Sequence, residues 1–296
     1  MDKKMNKNDI FDFRRFGKYF TSDLRTCAAN YGLTLFVISI IVQIALYLTS
    51  VGMNGLFSQT WQGPGVILRV STFIIAMVCM TITMPVKCYG RITEKQYGSF
   101  WISIPASRLE KFLSMIILTC IVVPVIGVVL YLSVDWLICL VDKTCGQNII
   151  AGVSSVIKDL NIALDEMAAE EIMLNGTPVS MDFMKQIYSP WLYIDEFFVM
   201  SLPFLLGAIF FKSAKTVKTF LMLAAIGATM SMIMTPLTTG LVFDIMGSAG
   251  NEEEIAARML NSGVMKNLGV IDTIADAITN LALMAGIWFR IKTLKH

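Results

Sequence analysis

The sequence predicts an all-α polytopic membrane protein, and three observations carry that prediction. Of 296 residues, 55% are hydrophobic and 16% charged, with a mean hydropathy of +0.67, whereas soluble domains carry about 25% charged residues. The apolar residues gather into six runs near the length that a helix rising about 1.5 Å per residue needs to cross a hydrocarbon core of about 30 Å. Lys and Arg concentrate in alternate connections between those runs, as expected for loops that stay on the cytoplasmic side.

Residues 1–30 open the chain as a basic arm. Ile10, Phe13, Phe16, Phe20 and Leu24 recur at helical spacing, with Arg14, Arg15 and Lys18 mostly on other faces. This pattern fits a helix in the membrane interface, its cations among anionic headgroups, or an amphipathic helix docked on protein. The arm lacks the short apolar stretch and small-residue cleavage site of a signal peptide, so none is expected. The predicted spans follow at 33–51, 66–85, 112–134, 191–211, 220–242 and 269–288. The fourth carries Asp195 and Glu196 in its first turns. Pro124, Pro203 and Pro236 interrupt the backbone ladder within spans, and Gly207, Gly227 and Gly240 permit close helix approach.

Orientation follows from the cations. The arm holds seven, from Lys3 to Arg25; the loop after the second span holds Lys87, Arg91, Lys95, Arg108 and Lys111. The turn after the fourth holds Lys212, Lys215 and Lys218, and the tail Arg290, Lys292 and Lys295. The segment 142–189 has instead three lysines against seven carboxylates. Both termini are therefore expected in the cytoplasm, and 142–189 is expected outside as one or two helices or a partly disordered loop. Its helical spacing runs through Val153, Val156, Ile157, Leu160 and Leu164.

Segment 91–111 stands apart from the spans around it. Tyr97, Phe100, Trp101 and Ile104 fall at i, i+3, i+4 and i+7 and draw an apolar stripe along a helix, with Glu94, Lys95, Ser99 and Ser103 off it. Pro105 ends that helix, and Ser107 with Glu110 reads as a capping box that starts the next.

Several chemistries are excluded. The chain has no GxxxxGK[ST] loop to cradle phosphate, and its one histidine is the last residue, His296. Ser-His-Asp and Cys-His nucleophile systems and an HExxH zinc site are therefore absent from the sequence. Six cysteines without CxxC spacing suggest neither a metal site nor a disulfide framework, with Cys139 and Cys145 the only pair placed to meet on the outer side. No catalytic residue, cofactor or nucleic-acid partner is expected. Ionisable residues at membrane depth cost about 2.5–3.5 kcal/mol each on insertion scales and normally face a partner or a water-filled path. The candidates are Arg69, Asp135, Asp195, Asp272 and Asp276. The last two share a helix face, which suits either simple solvation at the outer interface or a proton or cation relay.

Glu94, Gly98, Ile102, Ile104, Pro105, Ser107, Arg108 and Lys111 follow the order of a glutamate, a glycine, a short apolar stretch, Pro-x-Ser-Arg and a further basic residue. With six spans and cytoplasmic termini, the chain resembles the permease subunits of type 2 ABC exporters. That resemblance implies a coupling helix in 91–111, with Glu94, Tyr97, Gly98, Phe100, Trp101, Ile104 and Arg108 meeting a separate ABC ATPase subunit. It also implies a second permease, as homo- or heterodimer, and a bacterial cytoplasmic membrane. The long acidic segment between spans three and four departs from that family, whose larger outer elements lie between spans five and six. The alternatives are a secondary transporter or channel using the outer carboxylates, and a non-transporting membrane scaffold.

Overall fold

The computed structural model describes residues 11–169, 172–174, 177–179, 200–247 and 268–294. Within them the chain is helical, with short connecting turns and one short antiparallel ribbon. We label the helices α1 (Phe13–Phe57), α2 (Val66–Tyr89), α3 (Lys95–Ser103), α4 (Arg108–Val141), α5 (Ile149–Ala169), α6 (Ser201–Phe210), α7 (Lys215–Gly247) and α8 (Leu268–Thr293). Four helical stretches among the described residues are long and apolar enough to cross a membrane: Phe13–Phe57, Val66–Thr93, Arg108–Val141 and Thr273–Thr293. The fifth expected span lies within α7. The fourth is described only over α6, and its first half, with Asp195, lies outside the described residues.

The amphipathic arm expected over 1–30 is not a helix of its own. From Phe13 it runs unbroken into the first apolar run, 45 residues in all, because no proline occurs between Asp12 and Phe57 and Asp12 caps its start by accepting from the Arg14 and Arg15 amides. The apolar stripe of its first half divides: Phe20 and Leu24 pack on protein, while Phe13 stands 81% exposed. Tyr19, Cys27 and Leu35 are buried, and Phe20, Leu24 and Tyr31 pack against the same core.

Two helices widen into π turns, at Val37–Ile41 in α1 and Ile117–Val122 in α4. The second directly precedes Pro124, so the wider turn accommodates a residue that has no N–H to donate.

The chain divides into two compact units, one of residues 1–153, 197–218 and 282–296, the other of 154–196 and 219–281. In the first, Met77, Met80 and Met84 of α2 meet Met115 of α4, joined by Leu202, Leu205 and Ile209 of α6 and Ile287 of α8. A side chain at Gly127 would collide with Met80, so the bare glycine is what lets α4 pass this close to α2. The polarity of this unit is that of a protein in lipid. Leu33 at 75%, Leu48 at 62% and Ile67 at 82% stand exposed, while Ser39, Gln43, Arg69, Thr81, Thr119 and Asp135 are buried. A water-soluble bundle would bury the first set.

Cys27 and Cys88 are paired, joining α1 to α2 with Cα atoms 5.8 Å apart. This corrects the expectation that no disulfide forms, and Cys139 and Cys145, the pair singled out by position, are free. Cysteines 61 positions apart meet only because α1 docks along α2.

The second unit holds the remainder of α5, α7 and α8 and a two-stranded ribbon, with Ile172–Leu174 antiparallel to Thr177–Val179 and Ile172 opposite Val179. Segment 142–189 thus contains a helix over the predicted periodicity and this ribbon in its described part.

Candidate functional site

Segment 91–111 forms a short helix clasped from several sides. A 3₁₀ turn at Gly90–Thr93 leads out of α2, α3 runs over nine residues, and the chain turns at Pro105 before Ser107 opens α4. The capping box at Ser107 is complete: its hydroxyl accepts from Glu110 N at 3.1 Å, and the Glu110 carboxylate accepts from Ser107 N at 2.8 Å. Glu110, fully buried, also takes Arg15 in a fork through Nε and Nη2 at 2.8 Å each, and accepts from Asp12 N at 2.9 Å. One carboxylate therefore caps α4 and ties down the start of α1.

One lysine holds the C-terminal end of α3 and another holds the 3₁₀ turn that leads into it. Lys111, buried, donates to the carbonyls of Trp101 at 2.8 Å and Ile102 at 3.2 Å and lies 4.8 Å from the Trp101 ring centroid. It closes the C-terminal end of α3, whose carbonyls lack helical donors and carry the negative end of the helix dipole. At the 3₁₀ turn, Lys215 at the start of α7 donates to Gly90 O and, at 2.7 Å, to Thr93 Oγ1. Burial pushes the Lys215 ammonium below its ordinary pKa, with the nearby Glu94 charge acting the other way.

The four stripe residues divide. Trp101 is 5% exposed and donates through Nε1 to Tyr19 Oη at 3.2 Å, so it packs on α1. Tyr97 and Ile104 are half-buried against the same core, Tyr97 with Arg91 5.2 Å from its ring centroid. Phe100 is 65% exposed and Ile102 43%. Gly98 is buried, while Arg108 is exposed and Glu94, also exposed, faces Arg91 at 3.6 Å. The outward face of α3 is thus Lys95, Gln96, Ser99, Phe100, Ile102 and Ser103.

Arg69 and Asp135 form a second polar centre at the opposite end of the bundle. Arg69 Nη1 lies 2.7 Å from Asp135 Oδ1, and both residues are 1% exposed. Nη1 also reaches Cys139 Sγ at 2.8 Å, while Nη2 donates to the carbonyls of Cys145 at 2.9 Å and Gln147 at 2.5 Å. Asp135 Oδ2 accepts from Ile149 N at 2.7 Å, at the start of α5. With its amide turned to satisfy both neighbours, Gln43 donates to Tyr131 O and accepts from Asp135 N, each at 3.2 Å. The pair fastens the connection from α4 to α5 onto α2. Asp142 adds a clasp nearby, accepting from Tyr47 Oη at 2.7 Å and Trp61 Nε1 at 3.0 Å.

Of the remaining candidates, Asp272 and Asp276 lie one turn apart on α8. No cluster of three or more His, Cys, Asp or Glu able to hold a metal occurs among the described residues. Sequence reasoning missed Asp23, Lys215 and the clasping role of Lys111. Only Lys111 carried a signal, as the basic residue after the Pro-x-Ser-Arg motif. Comparison of the chain with protein-family models, with curated proteins and with solved structures found no match.

Proposed function

We propose that the chain is the membrane-spanning permease subunit of an ATP-binding cassette exporter. It crosses a bacterial cytoplasmic membrane six times with both termini inside, and pairs with a second permease and with separate ATPase subunits. The observation that carries this reading is α3: a short helix between two membrane helices, at the end of the bundle rich in Lys and Arg, held at its C-terminal end by Lys111, with the turn leading into it held by Lys215, and presenting an exposed aromatic, Phe100, outward. A helix fixed this way transmits a push to α2 and α4 instead of yielding to it. Closure of ATPase subunits on ATP would press α3, and α2 and α4 would carry the displacement into the spans. The chain has no phosphate-cradling loop of its own.

The Arg69–Asp135 pair gives less support to a proton or cation relay, because its carboxylate oxygens and guanidinium NH2 groups are already engaged by the backbone and by each other.

The test is capture of an ATPase subunit from native membranes by the tagged chain and two variants at matched membrane levels. Phe100→Ala should lower capture about thirtyfold, the effect of losing an interface anchor of about 2 kcal/mol. Trp101→Ala should act first on stability, since it empties a buried site inside the chain. Undiminished capture by Phe100→Ala, or no ATPase captured by the unaltered protein, would remove the basis for the proposal.

A further inference from the structure

Between the first half of α1 and α3 lies a groove of about 480 Å³ that Tyr19, Asp23, Tyr97, Phe100 and Trp101 line, with Lys18 at its edge. That volume is in the range of about 300–1,000 Å³ that holds small ligands. The chemistry of its wall is uneven. Asp23 places one carboxylate oxygen, Oδ2, under two hydroxyls, Tyr89 Oη and Ser114 Oγ, each at 2.7 Å. Among the described residues, its other oxygen, Oδ1, accepts no hydrogen bond and no cation forms an ion pair with Asp23. Arg91 and Lys111 already lie over the Tyr97 and Trp101 rings, while the Tyr19 and Phe100 rings carry no cation among the described residues. A half-buried carboxylate with an open oxygen in a recess that these two rings help to line is an arrangement that attracts an ammonium group, which donates to the oxygen and gains from the nearby aromatic surface.

The groove does not suit a simple cation, because Lys18 is exposed at its rim, one helical turn from Ser22 on the same face. Arg15, which also lines it, is already neutralised by Glu110. An ammonium with an anionic group a short distance away satisfies both ends. The depth of the site narrows the source. Tyr89 and Ser114, which hold Asp23, stand just outside the second predicted span and just inside the third, so the open oxygen lies at the level where lipid headgroups begin.

We propose that this groove binds a zwitterionic phospholipid headgroup of the phosphoethanolamine type, with its ammonium on Asp23 among the aromatic rings and its phosphate toward Lys18. The site is built from α1, α3 and their supports alone and does not depend on the chain being an ABC permease.

Native mass spectrometry of the detergent-purified full chain, titrated separately with phosphatidylethanolamine and phosphatidylglycerol of the same acyl chains, tests it. The unaltered protein should retain phosphatidylethanolamine about tenfold more tightly. Asp23→Asn, which keeps an oxygen for Tyr89 and Ser114, should abolish that preference, and Lys18→Gln should weaken both lipids. Equal retention of the two lipids by the unaltered protein would overturn the proposal, and this comparison needs no variant to fold. An undiminished preference in Asp23→Asn would overturn it too. Free O-phosphoethanolamine separates the sources: competition at matched concentration assigns the headgroup chemistry to a soluble ligand as well, and failure to compete assigns it to the lipid.

Discussion

Replacing Asp135 with alanine tests how the outer end of the bundle is held. The change removes the 2.7 Å contact to Arg69 and the acceptor for Ile149 N, also at 2.7 Å. Breaking one side of a buried ion pair costs about 3–5 kcal/mol, because the remaining charge is left without compensation, and an orphaned backbone N–H adds about 1 kcal/mol. For a unit of this size such a loss lowers the melting temperature by about 10–20 °C. Thermal unfolding of the detergent-solubilised protein, followed by tryptophan fluorescence, reads it directly. The double variant Arg69→Met with Asp135→Ala removes both charges and should regain part of the loss, leaving an interaction energy of about 2 kcal/mol or more between the two sites. The recovery is partial because Arg69 also serves the Cys145 and Gln147 carbonyls. A melting temperature for Asp135→Ala within about 2 °C of the unaltered protein, or strictly additive effects, would refute the account of this pair as the fastening of the α4–α5 connection.

Two further outcomes follow from the clasps. Asp142 has its carboxyl lowered from 3.8 to about 2, chiefly by the Thr144 hydroxyl and then by Tyr47. Because the folded value lies below the unfolded one, the stability it contributes is full above about pH 4 and is lost as the pH falls toward 2. An acid titration of Trp61 fluorescence should show that step, and Asp142→Asn should remove it; identical acid profiles would contradict the assignment. Lys111→Met leaves the Trp101 and Ile102 carbonyls without their donor, a loss of about 1.5–3 kcal/mol for charge-assisted bonds. Hydrogen exchange across 95–104 should then quicken about tenfold or more while 33–51 is unaffected, and unchanged exchange in α3 would show that Lys111 does not clasp it.

Sequence alone determined what depends on local order. Hydropathy over some twenty residues places membrane helices because the bilayer fixes their length, and four of the expected spans fall in helices long and apolar enough to cross it. Pro105 stops one helix and Ser107 with Glu110 starts the next because capping acts within one turn. An amphipathic stripe, in contrast, says that a face will be covered and not by what. The stripe on the first half of α1 suited lipid as well as protein, and the one on α3 suited a partner as well as the chain itself. Only the packing turned Trp101 onto Tyr19 and left Phe100 outward. The pairs that fasten the fold are equally remote in the chain: Arg15 with Glu110 across 95 positions, Lys215 with Thr93 across 122 and Arg69 with Asp135 across 66. A charge in the sequence carries its sign and its position along a helix. Which opposite charge or carbonyl it meets is decided only when the helices pack, since the cost of burying it is offset by whichever partner the tertiary structure brings within about 3 Å.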